Sequence, residues 1–255
     1  MDLTHKVALV TGGAHRVGKA IALALAQAGA NVVVHYGQSE AAAHETVREI
    51  KSRGVQALAV QADLADPAAI AAMFETIRER FNRLDVLVNS AANFVKQPFD
   101  EVTVDDWKTV VQVNLRAPFF CTQHAARLMR AVRRPADQPA AIVNISDLAG
   151  VHPWHDFAAH GVAKAGLLHL TRITARELGP DIRVNAVIPG AILPPGNLSP
   201  DSTRWRQMGE SVPLRRTGDP AYIAQTVVFL AHNDYITGAS IPVDGGEHLI
   251  GIGTH

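Results

Sequence analysis

Seven short β-branched runs alternating with longer amphipathic stretches predict an α/β fold: one doubly wound unit with a seven-stranded parallel sheet. Two further observations support that class. The first run, Val7 to Thr11, passes without a linker through the glycine-rich turn GGAHRVG into a helical pattern at Lys19 to Ala28. The chain is also long enough, at 255 residues with 47% hydrophobic side chains, to bury one full core near the upper size of a single domain. Residues 1–255 therefore read as one domain, with no internal repeat and no interdomain linker.

The elements follow in order. Strands are expected at Val7 to Thr11, Asn31 to Tyr36, Ala57 to Gln61, Val86 to Asn89, Ala141 to Ser146, Ile182 to Val187 and Ser240 to Val243, each too short for a helix and rich in Val and Ile. Helical periodicity marks Lys19 to Ala28, Glu40 to Ser52, Pro67 to Phe81, Asp105 to Val132, His155 to Leu178 and Pro220 to Ala231, several opened by Asp, Ser or Pro. Loop-forming residues gather at Arg133 to Pro139, which reads as a surface loop, and at Pro189 to Pro200. The second loop follows a strand's carboxyl end, where open α/β sheets bind ligands, and is expected to act as a lid.

Charge and cysteine content exclude several classes. With 24 basic and 24 acidic residues there is no general field to gather nucleic acid or anionic lipid. Cys121 is the only cysteine, so no intrachain disulfide forms, and MDLTHKVALV lacks a signal-peptide core; a reducing cytoplasm is expected. No apolar run reaches the roughly 18 residues of a membrane helix.

The glycine turn carries the chemistry of a nucleotide phosphate site. Gly12 and Gly13 let the backbone approach a pyrophosphate, Val17 closes the same turn beside that site, and the helix after it offers free N–H groups and the positive end of its dipole. Arg16 puts a fixed cation where such turns usually have another glycine. At the end of the second strand, His35-Tyr36-Gly37-Gln38-Ser39 contains no carboxylate to bond a ribose 2′-OH and repel a 2′-phosphate. Arg16 is therefore expected to face a phosphate, with Ser39 and His35 adding hydrogen bonds, and NADP is expected over NAD. His35 and Tyr36 as plain strand-end residues are the alternative. Asp63 and Leu64 after the third strand, and Asn89 and Ala91 after the fourth, lie at the same sheet edge and are expected to contact adenine and ribose, with ordinary capping as the alternative.

With the glycine turn, Asn89-Ser90-Ala91-Ala92, Asn114, Asn144-Ile145-Ser146, Lys164, Pro189-Gly190 and Val243-Asp244-Gly245-Gly246 all in order, the chain resembles the short-chain dehydrogenase/reductase superfamily over nearly its whole length. The resemblance implies a Rossmann-type fold, a dinucleotide, and Pro189 and Gly190 beside the nicotinamide. Arg16, the segment from His35 to Ser39, Phe94 and Asp147 resemble the pteridine reductase branch, which reduces dihydropterins and dihydrofolates with NADPH. Of the superfamily's Asn-Ser-Tyr-Lys tetrad, Asn114 and Lys164 match, Asp147 stands at the Ser position as in pteridine reductases, and His160 stands at the Tyr position. The resemblance further implies that Lys164 holds the nicotinamide ribose, Asn114 keeps a water for proton relay, and Phe94 sandwiches a flat heterocycle. Offset stacking favours such an arrangement, with Phe94 as a plain loop residue covering the core as the alternative. It also implies a homotetramer built through the two long helices and the last strand, with Val243 to His255 near an interface.

His160 and Lys164 lie one helical turn apart and share a face. An imidazole ordinarily titrates near 6.5, closer to neutrality than a phenol near 10, and so is able to deliver a proton. Lys164 favours neutral His160 and Asp147 favours the imidazolium, so the proton comes from His160, through a water, or from Asp147. An inert His160 on a non-catalytic NADP-binding protein is the competing reading. Leu193 is expected on the substrate side, with Pro194, Trp205 and Met208 as further walls of the lid and plain packing as the equal alternative for all four. Pro194 stands where the superfamily often has a threonine that contacts the carboxamide. His152, His155, Asp156 and His160 fit no metal-ligand spacing, and no metal is expected. The expected function is thus NADPH-dependent reduction of a planar small molecule at C=N, with reduction of a 3-oxoacyl carrier-protein carbonyl as the alternative.

Overall fold

The computed structural model describes residues 1–135, 137–195 and 198–250. Seven strands form one parallel sheet in the order β3-β2-β1-β4-β5-β6-β7. They are β1 (Val7–Val10), β2 (Asn31–Tyr36), β3 (Ala57–Gln61), β4 (Val86–Asn89), β5 (Ala140–Ile145), β6 (Ile182–Pro189) and β7 (Ser240–Val243). The order reverses between β1 and β4, which opens a crevice at their carboxyl ends.

Alternate residues feed two apolar layers, as the pleat requires. Ala8, Val10, Val32, Val34, Val86, Val88 and Val143 pack beneath α1 (Arg16–Gln27), α2 (Glu40–Lys51) and α8 (Pro220–His232). Val7, Leu9, Val33, Leu87 and Ile142 pack beneath α3 (Pro67–Phe81) and α5 (Ala117–Arg130). At the amino edge of the sheet, buried Asp85 accepts the Val7 N–H at 2.9 Å and pairs with Arg83 and Arg134 at 2.8 and 2.9 Å. That edge is closed by its own ions, and the opposite edge is left for ligands.

The Asp-Pro starts hold: Asp66 caps α3 through the Ala68 N–H and Asp219 caps α8 through the Ala221 N–H, each followed by proline. Three expectations are corrected. The single helix expected at Asp105 to Val132 is two, α4 (Val104–Val111) and α5, joined by a π-helical turn at Gln112–Arg116. The first is started by a Thr103–Asp106 capping box. Second, α6 runs Ala158–Leu178, so His155 to Phe157 belong to the preceding loop. Third, the segment with Trp205 and Met208 contains a helix, α7 (Thr203–Ser211), whose N-terminus is capped by Ser202. Val243 to His255, expected at an interface, falls partly outside the described residues, as do one position of the 133–139 loop and two of the 189–200 loop. No helix among the described residues is long and apolar enough to cross a membrane.

Candidate active site

The glycine turn and the start of the β4 loop are fitted to each other by backbone. Thr11 Oγ1 accepts the N–H groups of Ser90 and Ala91 at 3.0 and 3.1 Å. Gly12, at φ +65°, lies so close that a β-carbon there would sit 2.9 Å from Ala91 Cα. A β-carbon on Gly18 would overlap the Gly12 carbonyl oxygen, so the first turn of α1 rests directly on the glycine loop. Such a cradle suits a pyrophosphate, which needs backbone N–H groups free of side-chain bulk.

His35 does not face this cradle as a phosphate ligand. Its Nδ1 accepts the Gly12 N–H at 3.1 Å and its Nε2 lies 3.1 Å from the Ala62 carbonyl, so both nitrogens are engaged inside the protein. Burial lowers its pKa against the opposing pull of that carbonyl, and the ring works as a neutral pin between β2 and the turn. Asn89 is also turned inward: its Nδ2 donates to Asn144 Oδ1 at 2.8 Å, and Asn144 in turn donates to Thr171 at 2.9 Å. Its Nδ2 therefore belongs to a buried polar chain between the sheet and α6.

The other expected cofactor residues lie at the carboxyl edge, and two of them, Tyr36 and Leu64, pack into the apolar layers. Arg16 is exposed at φ +55° and reaches across to donate to the Pro194 carbonyl at 3.2 Å. Val17 is half-buried against the α1 layer, and Ala91 is half-buried on the opposite lip. Ser39 is half-buried at the N-cap of α2 without bonding that helix, whereas Tyr36 is buried. Asp63 is exposed and holds the Ala65 N–H at 2.8 Å beside buried Leu64. Pro189 and Gly190 are half-buried. A β-carbon on Gly190 would lie 2.6 Å from Asp244 Cβ, and Glu247 accepts the Ala191 N–H at 3.1 Å, so the segment after β7 braces this loop.

The substrate side joins four elements in one chain of contacts. The π-helical turn carries Asn114 inward, where its Oδ1 accepts the Asn93 N–H at 3.0 Å and its Nδ2 donates to the Asn93 carbonyl at 2.9 Å. The same Nδ2 lies 3.3 Å from His160 Nδ1. His160 Nε2 lies 2.7 Å from Asp147 Oδ2, and Asp147 Oδ1 accepts the Ala149 N–H at 3.0 Å. Lys164 Nζ donates to the Ile145 carbonyl at 2.9 Å and lies 3.9 Å from Asp147 Oδ2. Burial lowers the Lys164 pKa, opposed by the Asp147 charge. Burial tends to raise the Asp147 carboxyl, but the His160 hydrogen bond and the Lys164 charge outweigh it and hold the group below the usual carboxylate range.

The accessibilities are unequal: the His160 side chain is 1% exposed and that of Asp147 is 19% exposed. Phe94 accounts for part of the difference, because its ring stands edge-on to His160 at 4.5 Å and is itself 57% exposed. Phe157 and Trp154 back it at 4.5 and 6.3 Å. Lys96 and Asp156, 3.5 Å apart, tie the loops after β4 and β5 together. Asn93, Thr11, Trp154 and Phe157 were not singled out from the sequence. The two aromatics had a signal, falling within six residues before His160 in a chain with 5% aromatic residues; Asn93 acts through its backbone and had none. Leu193 is half-buried and packs against the α1 layer, and Trp205 is buried, while Met208 lies at the surface.

Asn114, Asp147, His160 and Lys164 thus converge at the carboxyl edge, and a family model described as enoyl-(acyl carrier protein) reductase matches residues 12–248, spanning all of them and the glycine turn. The chain belongs to the short-chain dehydrogenase/reductase superfamily, whose members are oxidoreductases. It is 38% identical to a 3-oxoacyl-[acyl-carrier-protein] reductase of Synechocystis over 96% of this chain and 97% of that one. It is similar to a blue fluorescent protein from a metagenomic library in complex with NADPH, with TM-score 0.87, 36% identity, and 96% and 99% of the two chains covered. It is also similar to FolM alternative dihydrofolate reductase 1 from Brucella canis complexed with NADP, with TM-score 0.88, 30% identity, and 98% and 96% covered. Within this superfamily the fold expected from the sequence, one Rossmann-like sheet of seven parallel strands, holds.

Proposed function

We propose that this chain is an NADPH-dependent reductase of a planar heterocycle bearing a C=N bond, of the dihydropterin or dihydrofolate type. The observation that carries the reading is the exposed Phe94 ring, shelved on Phe157 and His160 at 4.5 Å and set at the mouth of the cleft near Asp147. A flat ring system gains from offset stacking on such a surface. Similarity to a dihydrofolate reductase of the same fold supports the substrate class.

For the coenzyme, the residues present fit NADPH. Gly12, Gly13 and Gly18 bring no side chain into the turn where a pyrophosphate would lie, Arg16 and Ser39 would meet a 2′-phosphate once Arg16 leaves the Pro194 carbonyl, and residues 37–39 after β2 carry no carboxylate to repel one. The NADPH and NADP complexes among the similar structures support the same choice. When bound, the coenzyme supplies hydride. Lys164, anchored on the Ile145 carbonyl with two further N–H donors, is the residue for the nicotinamide ribose, and Pro189 and Gly190 border that end of the cleft.

A second reading, reduction of a 3-oxoacyl carrier-protein carbonyl, is favoured by the 38% identity to such an enzyme. The two separate in one experiment: NADPH oxidation with dihydropterin, with dihydrofolate and with a 3-oxoacyl thioester. Turnover of the thioester alone replaces the first reading by the second. NADPH binding with no turnover of any of them identifies a non-catalytic binding protein.

We further infer that the chain works as a homotetramer. The outward faces of α5 and α6 expose Phe119, Val162 and Ile173 at 48%, 53% and 46%, more apolar surface than a lone helix pair keeps. Sedimentation at micromolar concentration checks the mass.

A further inference from the structure

The order of hydrogen bonds across Asn93, Asn114, His160 and Asp147 fixes where protons sit. The Asn93 backbone N–H can only donate and its carbonyl can only accept. Asn114 therefore cannot turn its amide over, and the group it aims at His160 Nδ1, at 3.3 Å, is an N–H donor. Nδ1 must then present its lone pair, the ring proton is on Nε2, and that N–H points at Asp147 Oδ2 2.7 Å away. An imidazolium would set its Nδ1–H against the Asn114 amide hydrogens.

Burial gives this chain a direction. His160, 1% exposed, lies behind Phe94, while Asp147 keeps 19% of its side chain open. The charged and titratable groups around the carboxylate are His160 and Lys164, both on α6. The ammonium lies on the inner side, 5% exposed and bonded to the Ile145 carbonyl. The loop after β4 and the π-helical turn bring the uncharged Phe94, Asn93 and Asn114 against this chain, and the Lys96 of that loop is paired with Asp156 at 3.5 Å.

Resting on the reductase reading above, we propose that His160 is a positioning residue held as the neutral Nε2–H tautomer, that the group presented to substrate is the Asp147 carboxylate, and that the substrate reduced is a cationic C=N unit. A carboxylate repels the negative charge that develops on a carbonyl oxygen and has no proton to give it. It stabilises a protonated imine. Hydride adding to the carbon of C=N–H⁺ forms the C–H bond, and the π pair becomes the nitrogen lone pair. The neutral amine results, the nicotinamide is oxidised, and no protein proton is consumed.

The test has two parts. In protein labelled with ¹⁵N-histidine, the His160 resonances, assigned by their loss in His160→Gln, should report Nε2–H with unprotonated Nδ1 at neutral pH. An Nδ1–H form or an imidazolium overturns the proposal. Turnover is then compared for a permanently cationic planar iminium, N-methyl-3,4-dihydroisoquinolinium, and a ketone of similar shape. The expected result is reduction of the iminium at a rate independent of pH between about 6 and 8 and at least tenfold faster than the ketone. His160→Gln, which keeps an N–H toward Asp147, should retain turnover within tenfold, while His160→Phe should not; the thermal midpoint and NADPH affinity of each variant establish that it is folded. Equal loss in Gln and Phe variants that bind NADPH, or reduction of the ketone but not the iminium, overturns the inference and leaves the reductase reading intact. Failure to bind NADPH removes that reading and the inference with it.

Discussion

The two lips of the cleft are built by different means. On the coenzyme lip, backbone does the work: glycines at 12 and 18 permit close approach, and Thr11 and His35 spend their polar atoms holding N–H groups of neighbouring turns. On the substrate lip, side chains do it, and the important ones are chained to one another from Asn114 through His160 to Asp147. A site made of backbone is intolerant of added atoms, whereas one made of chained side chains is intolerant of lost polarity.

The comparison is broken most strongly at Asp147. Replacing it by Asn should lower kcat/KM by about 10²- to 10³-fold, the range for removing one preorganised electrostatic group, with NADPH affinity nearly unchanged; steady-state kinetics beside a coenzyme titration checks both. Gly18→Ala should do the reverse. Forcing a methyl against the Gly12 carbonyl should cost about 1–3 kcal/mol in denaturant unfolding and weaken NADPH binding, with little change in the kcat that remains at saturation.

Arg16→Gly sharpens the contrast. An L-residue at φ +55° carries about 1–2 kcal/mol of backbone strain that glycine relieves, so the variant should be more stable while losing roughly tenfold of its preference for NADPH over NADH. The smallest effect is a pH dependence from His35. Its pKa is lowered in the folded protein, so the unfolded chain takes up the proton first as pH falls. Stability from this residue is intact above about 6.5 and declines below it, by at most about 1.4 kcal/mol per pH unit. The slope difference between wild type and His35→Gln in unfolding from pH 7 to 5 measures it.

These contrasts also explain what the sequence made legible. Apolar runs such as Asn31–Tyr36 and starts such as Asp66-Pro67 are local signals, and the sheet and most helices followed from them. Asn114, Asp147 and Lys164 were found by pattern, and the structure brings them together. His35 was misjudged because residue type and strand-end position do not say which way a side chain turns; here the ring turns inward and satisfies buried polar groups with both nitrogens. Asn93 and Thr11 matter through backbone N–H groups they accept or supply, which no composition shows. The break in the long helix was hidden because both of its halves keep helical periodicity.

That break at Gln112–Arg116 has an effect out of proportion to its size. Widening one turn shifts everything beyond it by close to a residue's worth of rotation, so α4 and α5 address the rest of the molecule from different bearings. Asn114 owes its aim to that offset. Excising a single position from the segment would heal the rod and preserve nearly every apolar contact, yet it would swing the amide away from its target and silence the network with the scaffold still standing.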